Sequence, residues 1–234
     1  MKMKLRALVP AILAMTFSLL HAETKANPAM VVQVILTENN DDYLALLAKS
    51  NARIKAVTGI EQLRHAWVGD FAGENSHGLV VVSNFESAAA GEAVRDKLGK
   101  DAEMNDLLKE FAKLRKLGPA YLYKAMRWEG LYPGGAVFNT TVTLTDEAAY
   151  LKALDGLKAI FDANGFKDAK VNLFRLASGR EDSTHLVVIC FANRTRVAEL
   201  IDMVSDTAAL KDWNASVAKI RTTVRNGTYH EVTK

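Results

Sequence analysis

The chain repeats itself. Tyr43, Leu47, Ile54 and Trp67 are answered 107 positions later by Tyr150, Leu154, Phe161 and Phe174. In a chain of 234 residues this period means two copies of one unit of about 100 residues, a usual domain size. A repeat restricts the fold more than any single motif does, because whatever one copy forms the other must be able to form.

Each copy reads as strand, helix, hairpin, helices, strand. Val31–Thr37 and Val137–Thr145 are rich in β-branched residues. Acidic pairs follow, Asp41-Asp42 and Asp146-Glu147, where helices start. The spacing of Tyr43, Leu47 and Ile54, and of Tyr150, Leu154, Leu157 and Phe161, lines one helical face with apolar groups. Gly59 and Gly165 stand where a left-handed cap is wanted. Leu63, His65 and Trp67 alternate along a second strand, as Lys170, Asn172 and Phe174 do. Polar turns at 73–78 and 178–183 lead into Leu79–Val82 and Leu186–Ile189, completing a hairpin in each copy. Ser87–Leu98 and Arg194–Val204 read as short helices, with Asp101 and Asp206 as caps of the helices that follow. Met104, Leu107, Leu108 and Phe111 make one apolar stripe, and Leu210, Trp213, Val217 and Ile220 the other. Gly118-Pro119 is expected to end the first of these helices. Ala120–Trp128 and Thr222–Val232 are the closing strands.

The predicted fold class is α+β: two tandem ferredoxin-like β-α-β-β-α-β units, 31–128 and 137–234, joined by a linker at 129–136 and preceded by an extension at 23–30. Helices cover one face of each sheet, and the other face needs a cover too. The sibling sheet is the available one, giving an eight-stranded barrel-like pseudo-dimer within one chain.

The passages Asn84-Phe85-Glu86-Ser87 to Asp101 and Phe191-Ala192-Asn193-Arg194 to Asp206 resemble the dimeric α/β-barrel superfamily, most closely its antibiotic-biosynthesis-monooxygenase-like branch. The resemblance covers nearly the whole chain after the leader, in two copies, and rests on element order rather than on a catalytic motif. It implies a barrel closed within one chain and therefore a monomer. It also implies ligand pockets between each sheet and its own helices. Relatives include cofactor-independent monooxygenases and haem proteins, so haem is a possible cofactor by resemblance, although the residues themselves predict none.

Residues 1–22 read as a cleaved signal peptide: Lys2, Lys4 and Arg6, an apolar run from Ala7 to Leu20, and a small residue at Ala22. A retained anchor is the alternative. The expectation is a periplasmic or secreted protein with no membrane attachment after cleavage. Without the three leader cations, 27 Lys and Arg face 27 Asp and Glu. That balance argues against a nucleic-acid partner. The single Cys190 excludes an internal disulfide and sits in an apolar strand, where a buried small residue is expected.

His65 and Trp67 share one side of their strand, with Arg64 on the other, and Tyr43 on the preceding helix could face them. A titratable imidazole in an aromatic pocket could serve as a catalytic base or ligate haem iron. A histidine packed at the core edge is the alternative reading. The second copy places Asn172 and Phe174 at these positions, so any such chemistry belongs to one copy only. The candidate ligand-binding set is Tyr43, His65, Trp67, Asn172 and Phe174, for a small apolar or aromatic ligand or an interaction partner. His77, His185 and His230 show no metal-site spacing, and no phosphate loop, dinucleotide fingerprint or Gly-x-Ser-x-Gly occurs. Tyr121, Tyr123 and Trp128 are expected to pack between the sheets.

Overall fold

A computed structural model describes residues 28–71, 78–179 and 182–232. The leader and His77 lie outside these residues, as does most of the turn at 73–78. The first copy comprises β1 (Ala29–Leu36), α1 (Asn40–Thr58), β2 (Arg64–Phe71), β3 (Leu79–Phe85), α2 (Ala88–Gly99), α3 (Ala102–Leu114) and β4 (Lys116–Arg127). The second comprises β5 (Ala136–Leu144), α4 (Glu147–Ala163), β6 (Lys170–Ser178), β7 (His185–Phe191), α5 (Arg194–Asp206), α6 (Ala208–Val217) and β8 (Arg221–Val232).

Local chemistry sets most of the boundaries. Asn39, Ser87, Asp101, Asp146 and Asn193 each accept a hydrogen bond from a backbone N–H in the first turn of a helix. Gly59 (φ 79°) and Gly165 (φ 87°) take the left-handed conformation at helix ends. Two expectations are corrected. Helix α3 ends at Leu114, and Gly118-Pro119 lies inside β4. The proline fits there because Gln33 Nε2 donates to the carbonyls of Gly118 and Pro119, so side-chain bonding supplements the ladder at a register shift in β1·β4. Asp206 is the last residue of α5 rather than a cap, and α6 begins after Thr207 with no side-chain cap.

The strands form one closed, all-antiparallel barrel in the order β1-β3-β2-β8-β5-β7-β6-β4. Each copy contributes four strands. The two seams are β2·β8, where Trp67 stands opposite Glu231, and β4·β6, where Ala125 stands opposite Phe174. The sheets therefore join edge to edge as well as facing one another, which removes every open edge.

Alternation along each strand separates three apolar layers. Tyr43, Leu46, Leu47 and Phe111 pack between helices and sheet in the first copy, continued by Ile54, Leu63, Leu98 and Met104. Tyr150, Leu154, Phe161 and Leu210 do so in the second. Met30, Trp67, Val80, Tyr123, Phe174 and Val188 fill the barrel itself. Burying each such large side chain contributes about 1.5–3 kcal/mol.

Candidate functional site

The barrel interior is incompletely filled. A cavity of about 100 Å³ runs along it, walled by Met30, Val80, Val82, Leu186 and Val188 and by the rings of Trp67, Tyr121, Tyr123, Phe174 and Tyr229. Asn139, Thr141, Arg225 and Asn226 line its far end, and the exposure of Arg225 and Asn226 brings that end to the surface. Two buried polar atoms on the wall have no partner among the described residues: the Trp67 indole Nε1–H and the Asn139 Oδ1. Trp67 is 4% exposed. An unpaired buried donor costs about 1–3 kcal/mol, so each of these atoms offers a hydrogen bond to whatever enters.

The opposite end of the barrel is plugged by residues 129–135, which connect β4 to β5. The second copy holds this segment from three strands. Asn172, fully buried, accepts from the Glu129 amide at 2.7 Å and donates to the Gly130 carbonyl at 3.1 Å. On β8 of the same copy, Glu231 Oε2 accepts from the Gly134 amide at 2.7 Å. Its other oxygen, Oε1, lies 2.6 Å from His65 Nδ1. The Tyr132 amide donates to Cys190 Sγ at 3.3 Å, and burial pushes the Cys190 thiol up to about 11. This thiol is a packed apolar group.

The five residues singled out from the sequence thus separate. Trp67 and Phe174 come together on the cavity wall. His65 and Asn172 occupy equivalent places at the plugged end, turned to Glu231 and to the connecting segment, and neither lines the cavity. Tyr43 faces away from all of them. It packs at 5.2 Å from Phe111 beneath α1, and its hydroxyl accepts from Arg115 Nη1 at 3.1 Å. Burial pushes the Tyr43 hydroxyl up, and Arg115 offsets part of the shift. The same device recurs in the other copy with Tyr150 and Arg221, which marks it as part of the repeated scaffold. Tyr121 and Tyr123 do line the interior, whereas Trp128 caps Phe174 from outside at 5.8 Å and is 39% exposed. Reading by residue type missed Glu231 and Asn139. Glu231 shares the inward parity of Tyr229 along β8, so strand alternation carried the signal once the register across β2·β8 is known.

This cavity does not fit haem. It is several times smaller than the 300–1,000 Å³ of a drug-sized pocket, and among the described residues no imidazole lines it. His185 has both ring nitrogens engaged, by Thr184 and Glu147, and His230 Nδ1 is held by Asp70 at 3.0 Å. Among the described residues no group of three or more His, Cys, Asp or Glu is arranged to hold a metal ion. The cavity also lies between the two sheets, whereas the resemblance implied pockets between sheet and helices.

Barrel order, seams and paired repeats together are the dimeric α/β-barrel fold, closed within a single chain. Solved structures with this fold include a candidate monooxygenase from Lactobacillus acidophilus NCFM (TM-score 0.57, 11% identity, covering 88% of this chain and 95% of that one). An anthrone oxidase-like protein matches with a TM-score of 0.53 at 14% identity, covering 89% and 93%. A haem-binding protein from Thermus thermophilus matches with a TM-score of 0.54 at 8% identity, covering 88% and 92%. No protein-family profile and no curated protein sequence matches the chain. At these identities the likeness establishes the fold.

Proposed function

We propose that this protein binds a small, largely apolar molecule, a single ring or short chain with one hydrogen-bond acceptor and one donor, inside the barrel. The observation that carries this reading is the unpaired Trp67 Nε1–H on the wall of an aromatic-lined cavity that also presents the unpaired Asn139 Oδ1. Apolar cavities of about 150 Å³ take up benzene, and this one is of that order once the flexible Met30 side chain adjusts. A phenolic hydroxyl has both the acceptor that Trp67 wants and the donor that Asn139 wants.

Binding is favoured over oxidation because a catalytic base must lie within hydrogen-bond reach of the bound molecule. His65 does not line the cavity, and its Nδ1 is occupied by Glu231. We further propose that the protein works outside the cytoplasm as a monomer. The leader-like residues 1–22 support the first point and the barrel closed by its own two halves the second.

The test is a titration with phenol, followed through the indole N–H resonance of Trp67 by ¹H–¹⁵N NMR. Saturable movement of that resonance, with Trp128 and Trp213 unmoved, is expected. Phenol that leaves Trp67 unmoved at millimolar concentration would refute the proposal.

A further inference from the structure

A second feature lies on the outer face of the first copy. Arg64 leaves β2 on the side opposite Trp67 and runs beneath α1. Its backbone is clasped by Asn51, which accepts from the Arg64 N–H at 3.2 Å and donates to its carbonyl at 2.8 Å. Its guanidinium donates to Ser50 Oγ at 2.9 Å, and Ser50 is fully buried. No carboxylate among the described residues lies within ion-pair distance of this guanidinium. The contrast within the chain is sharp: Arg53, Arg127, Arg175, Arg194 and Arg196 each meet a carboxylate.

Arg64 is also electrostatically uncomfortable. Burial pulls its proton affinity down, and the neighbouring Arg115 adds like-charge repulsion. Arg115 has no acidic partner among the described residues either, since its guanidinium lies over Phe111 and donates to Tyr43. Fold maintenance does not require this arrangement, because the second copy builds the same layer with Leu157 for Ser50 and Val171 for Arg64, both buried.

Arg64 lines a pocket of about 290 Å³ together with apolar Leu44, Leu47, Ala66 and Val232 and polar Asn51 and Gln62. Val232 comes from β8, so the pocket straddles the seam between copies. Glu61 also lines it and is paired with Lys55 at 2.7 Å.

We propose that this pocket is a second binding site, for a small organic carboxylate, with Arg64 as its anchor. A guanidinium fork matches a carboxylate with two parallel hydrogen bonds, and the aliphatic wall suits an apolar body behind it. An organic carboxylate is favoured over phosphate because phosphate has no apolar body to place against Leu44, Leu47, Ala66 and Val232.

Benzoate is the probe, with benzamide as its neutral isostere and inorganic phosphate as the competing anion, each titrated into the full mature chain by ¹H–¹⁵N NMR. Benzoate should bind saturably and move the resonances of α1 and β2 but not the Trp67 indole. Arg64→Gln, with its amide spectrum otherwise retained, should weaken benzoate at least tenfold, and benzamide should bind at least tenfold more weakly than benzoate. Ala48→Trp, which fills the pocket from the exposed face of α1 and leaves Arg64 in place, should abolish binding and decides the matter if Arg64→Gln does not fold. Equal binding of benzamide and benzoate, undiminished benzoate binding in either folded variant, or tighter binding of phosphate would each overturn the assignment.

Discussion

His65 and Glu231, 166 positions apart in sequence, meet across the β2·β8 seam with 2.6 Å between Nδ1 and Oε1. The Glu231 side chain is only 2% exposed, and its second oxygen holds the Gly134 amide of the segment that plugs the barrel. One carboxylate therefore joins both copies and the connection between them. Glu231→Ala should cost about 2–4 kcal/mol, since it strands an imidazole and a backbone N–H together. His65→Asn, which installs the second copy's residue, should cost about 1 kcal/mol, because Asn172 shows that the barrel end tolerates an amide. Urea denaturation of the two variants checks the order, and equal losses would contradict it.

Phe174 is 1% exposed and forms part of the cavity wall. Truncation to alanine should destabilise the protein by about 3–5 kcal/mol. The enlarged cavity should then admit a two-ring molecule such as 1-naphthol, and ligand should restore part of the lost stability in proportion to the logarithm of its concentration above Kd. Thermal denaturation with and without 1-naphthol measures both effects. A rise in Tm of equal size in the wild-type protein would show that the ring does not limit the cavity.

Asp101 caps α3 by accepting from the Met104 amide, and it also pairs with Arg53. The Arg53 hydrogen bond, then the Met104 amide, hold its carboxyl at about 2. The folded value is below that of the unfolded chain, so the stabilisation is present above about pH 4 and is lost as pH falls through about 2. Asp101→Asn should flatten the acid limb of the stability profile in that window and leave the neutral limb parallel to wild type. Denaturation midpoints between pH 2 and pH 7 provide the comparison.

Closure of the barrel by β2·β8 and β4·β6 leaves no seam for a second chain to complete. Light scattering on residues 23–234 should give the mass of one chain at micromolar concentration. A stable dimer would show that a further surface is used.

How much of this was legible beforehand follows from the range of each interaction. The repeat, the order of elements and the caps at Asp101 and Gly59 rest on neighbours a few residues apart, and periodicity reports those. The pairing of Trp67 with Phe174 in one interior was within reach because both copies share one parity. The position of Tyr43 was not, since a helix can turn that ring toward either side of a sheet, and only the packing of Phe111 and Arg115 decides which. Glu231 was missed for a similar reason, because its meaning depends on a seam between the last strand and the second. Gly118-Pro119 misled because the signals that stop a helix also suit a strand carrying a bulge, and Gln33 reaches across to satisfy that stretch.

We propose the barrel interior as a binding site oriented by Trp67 and Asn139. A crystal structure of residues 23–234 soaked with phenol tests it most directly. A ring is expected between Trp67 and Phe174, its hydroxyl within hydrogen-bond distance of Trp67 Nε1 or Asn139 Oδ1. Density for phenol only on the outer surface, with the barrel interior empty or closed over, would contradict it.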